Sequence, residues 1–277
     1  MSGNDEQIEY WNGPAGQRWA EAQDTMDRNM ASISAALLPF VAAKAGESVL
    51  DVGCGSGATT LEYAKAVGPK GRAVGMDISV PMLGVARGRA KAAGSGATFV
   101  EADAAAYKFS GDFDAVAARF GVMFFSDPGA AFANLRKALK PGGRLGFVCW
   151  RPFPENVWAF EPFAAARDLL PEQPPADPYA PGPFAFADAA RVKSILERAG
   201  FRNVETSKLD TVMHMAATAA EAAQFSLRIG PLSRAAGAVD DATRAKIAER
   251  VAAALKKYEK PDGVAPPAAC WLVGASV

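Results

Sequence analysis

Three glycines stand at alternate positions, Gly53, Gly55 and Gly57, directly after a short apolar segment that contains Asp51. Glycine lets the backbone turn sharply and lets a ligand approach closely, because it carries no Cβ. A helical pattern begins at Ala58, and the N-terminus of a helix offers free N–H groups to an anionic or polar ligand. The spacing therefore predicts a nucleotide-binding turn between a strand and a helix.

Two more carboxylates close apolar segments further along the chain. Asp77 ends a strand-like run that begins at Ala73, and Asp103 ends another that begins at Ala97. A carboxylate can accept hydrogen bonds from both hydroxyls of a ribose, which suits Asp77. An acid at the end of the following strand suits the amino group of an adenine, which suits Asp103. These positions predict that a nucleoside binds beside the glycine turn.

The run from Asp51 to Gly57 matches the motif D/E-x-G-x-G-x-G. With this motif and the strand-end acids in place, the chain resembles the class I S-adenosylmethionine (SAM)-dependent methyltransferases over roughly residues 10 to 277. Its core is most similar to the ubiquinone/menaquinone-biosynthesis type of small-molecule methyltransferase. The resemblance implies an α/β, Rossmann-like fold with a mostly parallel seven-stranded sheet, an antiparallel last strand, helices on both faces and lid insertions. It also implies SAM as the cofactor and S-adenosylhomocysteine as the product. No metal site is predicted.

The resemblance implies a particular set of cofactor contacts. The glycine loop would lie under the methionine and ribose parts, and Asp51 would anchor that loop or receive the ammonium group through water. The other expected contacts are Asp77 on the ribose, Ile78 and Met82 on the adenine faces, Asp103 and Ala104 at the adenine amino group, Arg119 and Phe120 near the methyl group, and Trp11 and Trp19 in an N-terminal arm. Two alternatives to these contacts stay open. Ile78 and Met82 would pack in the core, and Arg119 would form a structural ion pair.

The N-terminal segment is expected to be disordered or loosely docked over residues 1–9. The segment from Tyr10 to Trp19 is dense in aromatic residues for a polar stretch, and it resembles an arm with a Tyr-Trp-Asn-Gly-x-x-Gly-x-x-Trp start. Two interpretations stay open. The segment is either a hydrophobic tether or a lid whose aromatic rings cover the sulfonium of the cofactor.

Strand and helix patterns alternate along most of the chain, which predicts a parallel sheet with helices on both faces. The predicted strands are 48–52, 73–78, 97–101, 113–119, 144–150, 201–212 and 268–275. The predicted helices are 24–43, 58–66, 79–93, 130–139, 188–199, 216–229 and 240–258, with room for a short helix within 157–169.

Nine prolines interrupt this alternation between residues 151 and 187, Pro174 and Pro175 among them. A long irregular insertion after the carboxyl end of a strand is typical of a site lid, although a plain surface excursion is the alternative. We therefore predict a single domain over 1–277. Its parts are an arm and helix over 10–45, a cofactor-binding core over 46–150, a lid insertion over 151–187, and a C-terminal half with extra lid helices over 188–277.

Composition narrows the class of protein. The chain has 30 Lys and Arg residues and 30 Asp and Glu residues, so its formal net charge is zero. Without an excess of positive charge to attract a polyanion, no nucleic-acid partner is expected. The three cysteines have no C-x-x-C spacing, so neither zinc nor a disulfide framework is predicted. The polar N-terminus is unlike a signal peptide, and no apolar run is long enough for a membrane span. We expect a cytoplasmic enzyme.

The nature of methyl transfer leaves the catalytic residue unassigned. The reaction is an SN2 displacement with a neutral leaving group, so alignment in a dry pocket supplies much of the rate. The single histidine, His214, is a weak candidate for a general base. The loop Arg119–Phe125 lacks the N/D-P-P-Y/F/W motif of enzymes that methylate exocyclic amines, and Met123, Phe124 and Phe125 indicate a small, aromatic or hydrophobic substrate. The resemblance does not extend to the substrate, so a quinone precursor is not predicted as the substrate of this chain.

Two other functions remain as alternatives at this stage. A protein that binds SAM or S-adenosylhomocysteine without catalysis, in a regulatory or interaction role, is consistent with the unassigned base. An NAD-dependent oxidoreductase is consistent with Gly53-x-Gly55-x-x-Ala58 as a dinucleotide fingerprint. Asp103 and the lack of an evident Tyr-x-x-x-Lys pair speak against the oxidoreductase.

Overall fold

The computed structural model describes residues 4–172, 177–237 and 239–277. Its centre is a seven-stranded sheet in the order β3-β2-β1-β4-β5-β9-β6. The strands of this sheet are β1 (Ser48–Val52), β2 (Arg72–Asp77), β3 (Thr98–Glu101), β4 (Phe113–Arg119), β5 (Leu139–Trp150), β6 (Arg202–Val212) and β9 (Pro267–Ser276). The predicted fold is confirmed, because β9 runs antiparallel to both β5 and β6 while the strands from β3 to β5 are parallel.

The central strands are continuous apolar segments because both of their faces are covered. Val49 to Val52 in β1 are all buried, and so are four consecutive residues of β4. Parallel strands buried on both faces read as unbroken hydrophobic runs rather than as alternating ones. Asp51 lies in β1 opposite Gly75 on one side and Ala117 on the other, so this carboxylate sits inside the core of the sheet.

Helices connect the strands and cover the sheet. The helices that follow the arm are α5 (Ala58–Val67), α6 (Val80–Ala92), α7 (Pro128–Arg136), α8 (Val157–Ala166), α9 (Ala189–Arg198), α10 (Ala219–Arg228), α11 (Pro231–Ala235) and α12 (Asp241–Leu255). The strand order runs outward from β1 in both directions, so right-handed crossovers place helices on both faces. The carboxyl ends of the parallel strands thereby meet at one edge, where the site forms.

The N-terminal arm is helical from Asp5 onward, and the expectation of a disordered segment over residues 1–9 is wrong for the described part. The arm consists of α1 (Asp5–Asn12), α2 (Pro14–Glu21) and α3 (Gln23–Asn29), and α4 (Ala31–Val41) follows it. The predicted helix 24–43 is therefore two helices that meet at Met30. Contacts with the start of α6 order α1. The Asn12 side chain donates to Ile78 O at 2.9 Å and accepts from Val80 N at 2.9 Å.

Several further boundaries and elements differ from the predictions, and the largest differences are these. β5 begins at Leu139 rather than at 144, so residues 139–143 belong to the strand. The helix expected over 216–229 begins only at Ala219, where the Thr218 side chain forms a capping box with Glu221. A small hairpin of β7 (Glu259–Lys260) and β8 (Gly263–Val264) follows α12 and was not predicted.

The insertion over 151–187 contains the short helix that was expected, α8, which keeps Pro162 inside it. The Phe153 ring contacts those of Phe160, Phe163 and Phe184 with centroid distances of 5.6, 5.7 and 5.1 Å. The prolines Pro174 and Pro175 of this insertion lie outside the described residues.

Candidate active site

A cavity opens at the carboxyl edge of the sheet and runs past the ends of β3, β2, β1, β4 and β5. Eleven of the thirteen predicted cofactor contacts line it: Trp11, Trp19, Gly53, Gly55, Asp77, Ile78, Met82, Asp103, Ala104, Arg119 and Phe120. Asp51 and Gly57 do not line it. Asp51 lies inside the sheet, and Gly57 is packed close to Phe99 at the start of α5.

The glycine loop takes a backbone path that other residues adopt with difficulty. Gly53, Gly55 and Gly57 all have positive φ angles, of 64°, 53° and 81°. A Cβ on Gly53 would lie 2.6 Å from the Cα of Gly121, and a Cβ on Gly57 would lie 2.8 Å from the ring of Phe99. The alternating glycines are thus explained by φ and by close packing, with Gly53 and Gly55 also facing the cavity.

Asp77 connects β2 to the glycine loop. One carboxylate oxygen accepts from Gly55 N at 2.7 Å and the other from Ser79 N at 2.9 Å. The residue is 8% exposed and its remaining surface faces the cavity. Burial raises the pKa of Asp77, and the hydrogen bonds from Ser79 and Gly55 oppose that rise. Each oxygen keeps a lone pair for a ligand, since a carboxylate accepts about four hydrogen bonds.

Asp51 anchors the first turn of α5 instead of facing the cavity. Its Oδ2 accepts from Thr59 Oγ1 at 2.7 Å and from Thr60 Oγ1 at 2.6 Å. Its Oδ1 is buried without a hydrogen-bond partner among the described residues. Burial raises the pKa of Asp51 from 3.8 to about 6, against the two threonine hydrogen bonds and the charge of Arg119.

The far end of the cavity has the lining expected for an adenine. Ile78 and Met82 border it from the start of α6, and Asp103 and Ala104 border it after β3. The Asp103 carboxylate accepts from Ala105 N at 2.9 Å, which fixes its orientation. Both apolar contacts and a carboxylate acceptor are therefore present at this end.

Arg119 lies at the opposite end, where β4 stops. Its Nη1 donates to Ser34 Oγ at 2.7 Å, and it forms no ion pair within the residues described, so the alternative of a structural ion pair is not supported. Burial lowers the pKa of Arg119, and the charge of Asp27 opposes that change most strongly. The next residue, Phe120, has a positive φ of 68°.

Sequence reasoning missed two polar residues of this end, Gln23 and Asp27 of α3, which also line the cavity. They stand four residues apart in α3, and Met26 of the same helix and Met30, which follows it, line the cavity beside them. Polar side chains within an apolar helix face are a signal that could have identified them.

The wall beyond β4 is aromatic and apolar. The Phe120 and Trp150 rings stack with a centroid distance of 4.1 Å and an interplanar angle of 13°. Trp158 packs on Trp150 at 5.0 Å, and its indole Nε1 donates to Asn156 Oδ1 at 3.2 Å. The rest of this wall consists of Met123, Phe124, Phe125, Pro183, Met213, Ile229, Gly230 and Pro231.

Trp11 and Trp19 of the arm cover the cavity together. The Trp11 ring meets those of Trp19 and Phe124 edge to face, at 5.8 and 5.3 Å. Ser79 stands at the N-cap position of α6, but its hydroxyl donates to Trp11 O at 2.8 Å and holds the arm instead of capping the helix. The arm therefore docks directly over the part of the cavity that is lined by the predicted cofactor contacts.

His214 does not line the cavity, although its neighbour Met213 does. The geometry therefore gives no support to His214 as a base. Within the described ranges, no group of three or more His, Cys, Asp and Glu residues is arranged to hold a metal ion. No described helix is long and apolar enough to cross a membrane.

Comparisons with known proteins agree with this architecture. Residues 49–143 match the family model of a methyltransferase domain. The nocamycin O-methyltransferase of Saccharothrix syringae is 34% identical over 196 residues, which make up 67% of this chain and 69% of that protein. The demethylmenaquinone methyltransferase of Staphylococcus carnosus is 30% identical over 179 residues, 58% of this chain and 70% of that protein. The chain spans 52% of the demethylmenaquinone methyltransferase of Thermus thermophilus, at 40% identity.

Solved structures show the same fold at low identity. Phosphoethanolamine N-methyltransferase 2 of Haemonchus contortus, in complex with SAM, superposes with a TM-score of 0.60 at 18% identity and covers all of this chain and 60% of that one. A SAM-dependent methyltransferase of Aquifex aeolicus gives a TM-score of 0.52 at 17% identity and covers 98% of this chain and 97% of that one.

The sheet order, the glycine loop and these matches together define a Rossmann-like methyltransferase. The chain belongs to the family of SAM-dependent methyltransferases, and SAM is its cofactor. The residues present fit that cofactor, because the cavity offers the carboxylates of Asp77 and Asp103 toward one end, the guanidinium of Arg119 toward the other and glycine backbone between them.

Proposed function

We propose that this enzyme methylates a small, aromatic or apolar molecule. The observation that carries the proposal is one continuous cavity with two unlike halves. The half from Asp103 to Arg119 has charged and backbone groups suited to a nucleoside and an amino acid. The half bounded by Trp150, Trp158 and Met213 is apolar, which suits a hydrophobic acceptor.

In this proposal the chain acts mainly by position and by exclusion of water. SAM supplies an activated methyl group when it is bound. Asp77 accepts from the ribose hydroxyls, Asp103 from the adenine amino group, and Ile78 and Met82 hold the adenine faces. Phe120, at the junction of the two halves, orients the acceptor against the methyl group, and the stacked Trp150 keeps that place dry.

The names of the relatives support a small acceptor. One relative is named for nocamycin and others for demethylmenaquinone, which are small molecules. The even balance of 30 basic and 30 acidic residues supports the absence of a nucleic-acid partner. The free, buried cysteines Cys54, Cys149 and Cys270 support a reducing cytoplasm as the place of action. We propose that residues 1–277 act as one domain.

The first experiment is a calorimetric titration with SAM, S-adenosylhomocysteine and NAD in parallel. Micromolar binding of the first two and none of NAD is the expected result. Turnover is then followed as S-adenosylhomocysteine formation with a panel of phenols, hydroquinones and enolisable dicarbonyls. Binding without turnover on any acceptor would favour a regulatory SAM-binding role, and binding of NAD alone would overturn the cofactor sites.

A pair of methionine variants tests the acceptor half. Met213 and Met215 are both buried, at 2% and 1% exposed, but only Met213 lines the cavity. Met213→Ala should raise the KM of the acceptor and admit bulkier acceptors, with little change in S-adenosylhomocysteine affinity. Met215→Ala is the matched control and should leave the acceptor KM unchanged. Equal effects of the two variants on KM would contradict the assignment of this wall.

A further inference from the structure

Asn156 is fully buried next to the aromatic wall of the cavity, and its side chain joins three parts of the chain. Its Oδ1 accepts from Trp158 Nε1 at 3.2 Å and from Ala269 N at 3.0 Å. Its Nδ2 donates to Arg151 O at 2.9 Å and to Pro152 O at 3.4 Å. These bonds use both N–H groups and both lone pairs of the amide. A buried amide with every position used is held in one orientation.

The place of Asn156 in the chain makes this use of its side chain informative. It stands at the N-cap position of α8, where an Asn side chain commonly accepts from a backbone N–H of the first helical turn. Here the oxygen accepts instead from the indole of Trp158, the second residue of α8, and from the backbone of β9. The start of α8 therefore uses its capping side chain to hold one aromatic ring.

The Trp158 ring is fixed on two further sides. The Trp150 ring lies 5.0 Å away at an interplanar angle of 45°, and it stacks in turn on Phe120. On another side a Cβ at Gly230 would lie 3.5 Å from Trp158 Cζ3, so the backbone there is close to the ring. Gly230 has a φ of 103°, which favours glycine. The three rings are buried and line the cavity, so they form one rigid wall.

A rigid aromatic wall can distinguish acceptors of equal size. Aromatic rings attract one another in offset or edge-to-face arrangements beyond the gain from burial alone, whereas a saturated ring gains only burial. The gain is largest when the wall is already ordered, because an ordered side chain loses no further freedom on binding. The orientation of the indole at the wall therefore matters for the choice of acceptor.

We infer that Asn156 is a positioning residue for Trp158, and that Trp158 held in this way makes the enzyme prefer flat aromatic acceptors to saturated ones. Asn156 acts through the indole N–H and does not itself line the cavity. The inference rests on the proposed function, since it takes the acceptor to lie in the half bounded by Trp150 and Trp158.

The test measures the binding of 2-naphthol and 2-decalol, which share one carbon skeleton, to the complex of the protein with S-adenosylhomocysteine. In calorimetric titrations the wild-type complex should bind 2-naphthol about 2- to 10-fold more tightly, given the usual gain from an aromatic contact. Asn156→Ala should remove most of this preference and leave the affinity for S-adenosylhomocysteine unchanged. Asn156→Asp keeps an oxygen for the Trp158 indole and should retain more of the preference than Asn156→Ala.

A double variant separates positioning from a merely structural role. Trp158→Phe keeps a ring but removes the N–H that Asn156 accepts, so it should lower the preference by itself. Asn156→Ala added to Trp158→Phe should lower the preference no further. It should still lower the melting temperature, because the bonds to Ala269 and Arg151 are lost as well. Losses of preference that add in the double variant would contradict an action of Asn156 through Trp158.

Trp271→Phe is the matched control, because the Trp271 indole also donates to an oxygen, Ala187 O at 2.9 Å, but does not line the cavity. It should leave the preference unchanged. A preference that persists in Asn156→Ala would overturn the positioning role. If Asn156→Ala does not fold, equal preferences in Trp158→Phe and Trp271→Phe would overturn it.

The wild-type protein separates this inference from the proposed function. Equal affinities of its S-adenosylhomocysteine complex for the two probes would overturn the inference and leave an apolar acceptor site in place. Failure of both probes to bind that complex would contradict the proposed function itself.

Discussion

The backbones of Gly53 and Gly121 touch across the boundary between β1 and β4, so that a Cβ on Gly121 would lie 2.7 Å from the Cα of Gly53. Gly53 begins the glycine loop, and Gly121 begins the turn that follows β4. The position of one loop therefore depends on the absence of a side chain in the other. This contact joins the half of the cavity proposed for the cofactor to the half proposed for the acceptor.

Gly121→Ala should move the glycine loop. The new Cβ would also lie 2.9 Å from Val52 O, so the backbone must shift, and we expect a loss of about 1–3 kcal/mol in the free energy of unfolding. SAM affinity should fall as well. Urea unfolding and calorimetry measure the two effects.

Gly84→Ala is the control for that variant, since Gly84 lies in α6 and an added Cβ meets nothing within 4 Å. It should be neutral or stabilise the protein by about 0.5–1 kcal/mol. Similar losses in the two variants would show that the contact between the glycines does not control the loop.

Asp77→Asn should weaken the binding of SAM and of methylthioadenosine alike by about 1–3 kcal/mol, because both ligands have the ribose that loses a charged acceptor. Asparagine is the better probe than alanine, since one amide oxygen still accepts a backbone N–H of Gly55 or Ser79. Calorimetry with both ligands checks the prediction. A loss of affinity for SAM alone would contradict the assignment of Asp77 to the ribose.

Asp51→Asn should change the pH dependence of stability. The pKa of Asp51 is raised from 3.8 to about 6 in the folded state. Between pH 3.8 and 6 the folded state therefore binds more protons than the unfolded state, so the free energy of unfolding falls as pH rises through this range. The full shift corresponds to about 3 kcal/mol as an upper bound. Asp51→Asn should therefore be more stable than the wild-type protein at pH 7.

Urea unfolding at several pH values tests this sign. The advantage of Asp51→Asn should shrink as pH falls from 7 toward 4, because the wild-type carboxyl becomes protonated and neutral like the amide. An advantage that grows as the solution becomes acidic would contradict a raised pKa at Asp51.

Asn12→Ala should loosen the arm. The Asn12 side chain bonds to Ile78 O and Val80 N, which ties α1 to the start of α6. Faster hydrogen exchange over residues 5–21 is expected in the free protein, with slower exchange restored by S-adenosylhomocysteine. Gln17→Ala, an exposed change on the same arm, is the control. Identical exchange in the two variants would show that Asn12 does not dock the arm.

The sequence predicted the sheet well because its signals are local. β4 was predicted with its observed bounds, and β1 likewise, since both are apolar runs bounded by turn residues. Asp77 and Asp103 were recognised because they end such runs. Asp51 lies one residue before the end of β1 and faces the core, where the hydroxyls of Thr59 and Thr60 donate to it.

The arm and the end of the cavity around Arg119 depend on distant contacts and were therefore harder to predict. Asp27 pairs with Arg89, which lies far along the chain, and the periodicity of α3 does not contain that information. Asp5 begins a helix that is ordered by docking on Ile78 and Val80 rather than by its own composition. Helices this short owe their stability to tertiary packing.

The double part that α3 plays has a thermodynamic consequence. It covers the cavity, and its Gln23 and Asp27 point buried polar atoms into it. A ligand that satisfies those atoms stabilises the docked arm, and by linkage the docked arm raises the affinity for that ligand by the same factor. The affinity for such a ligand and the stability of the docked arm are then coupled quantities.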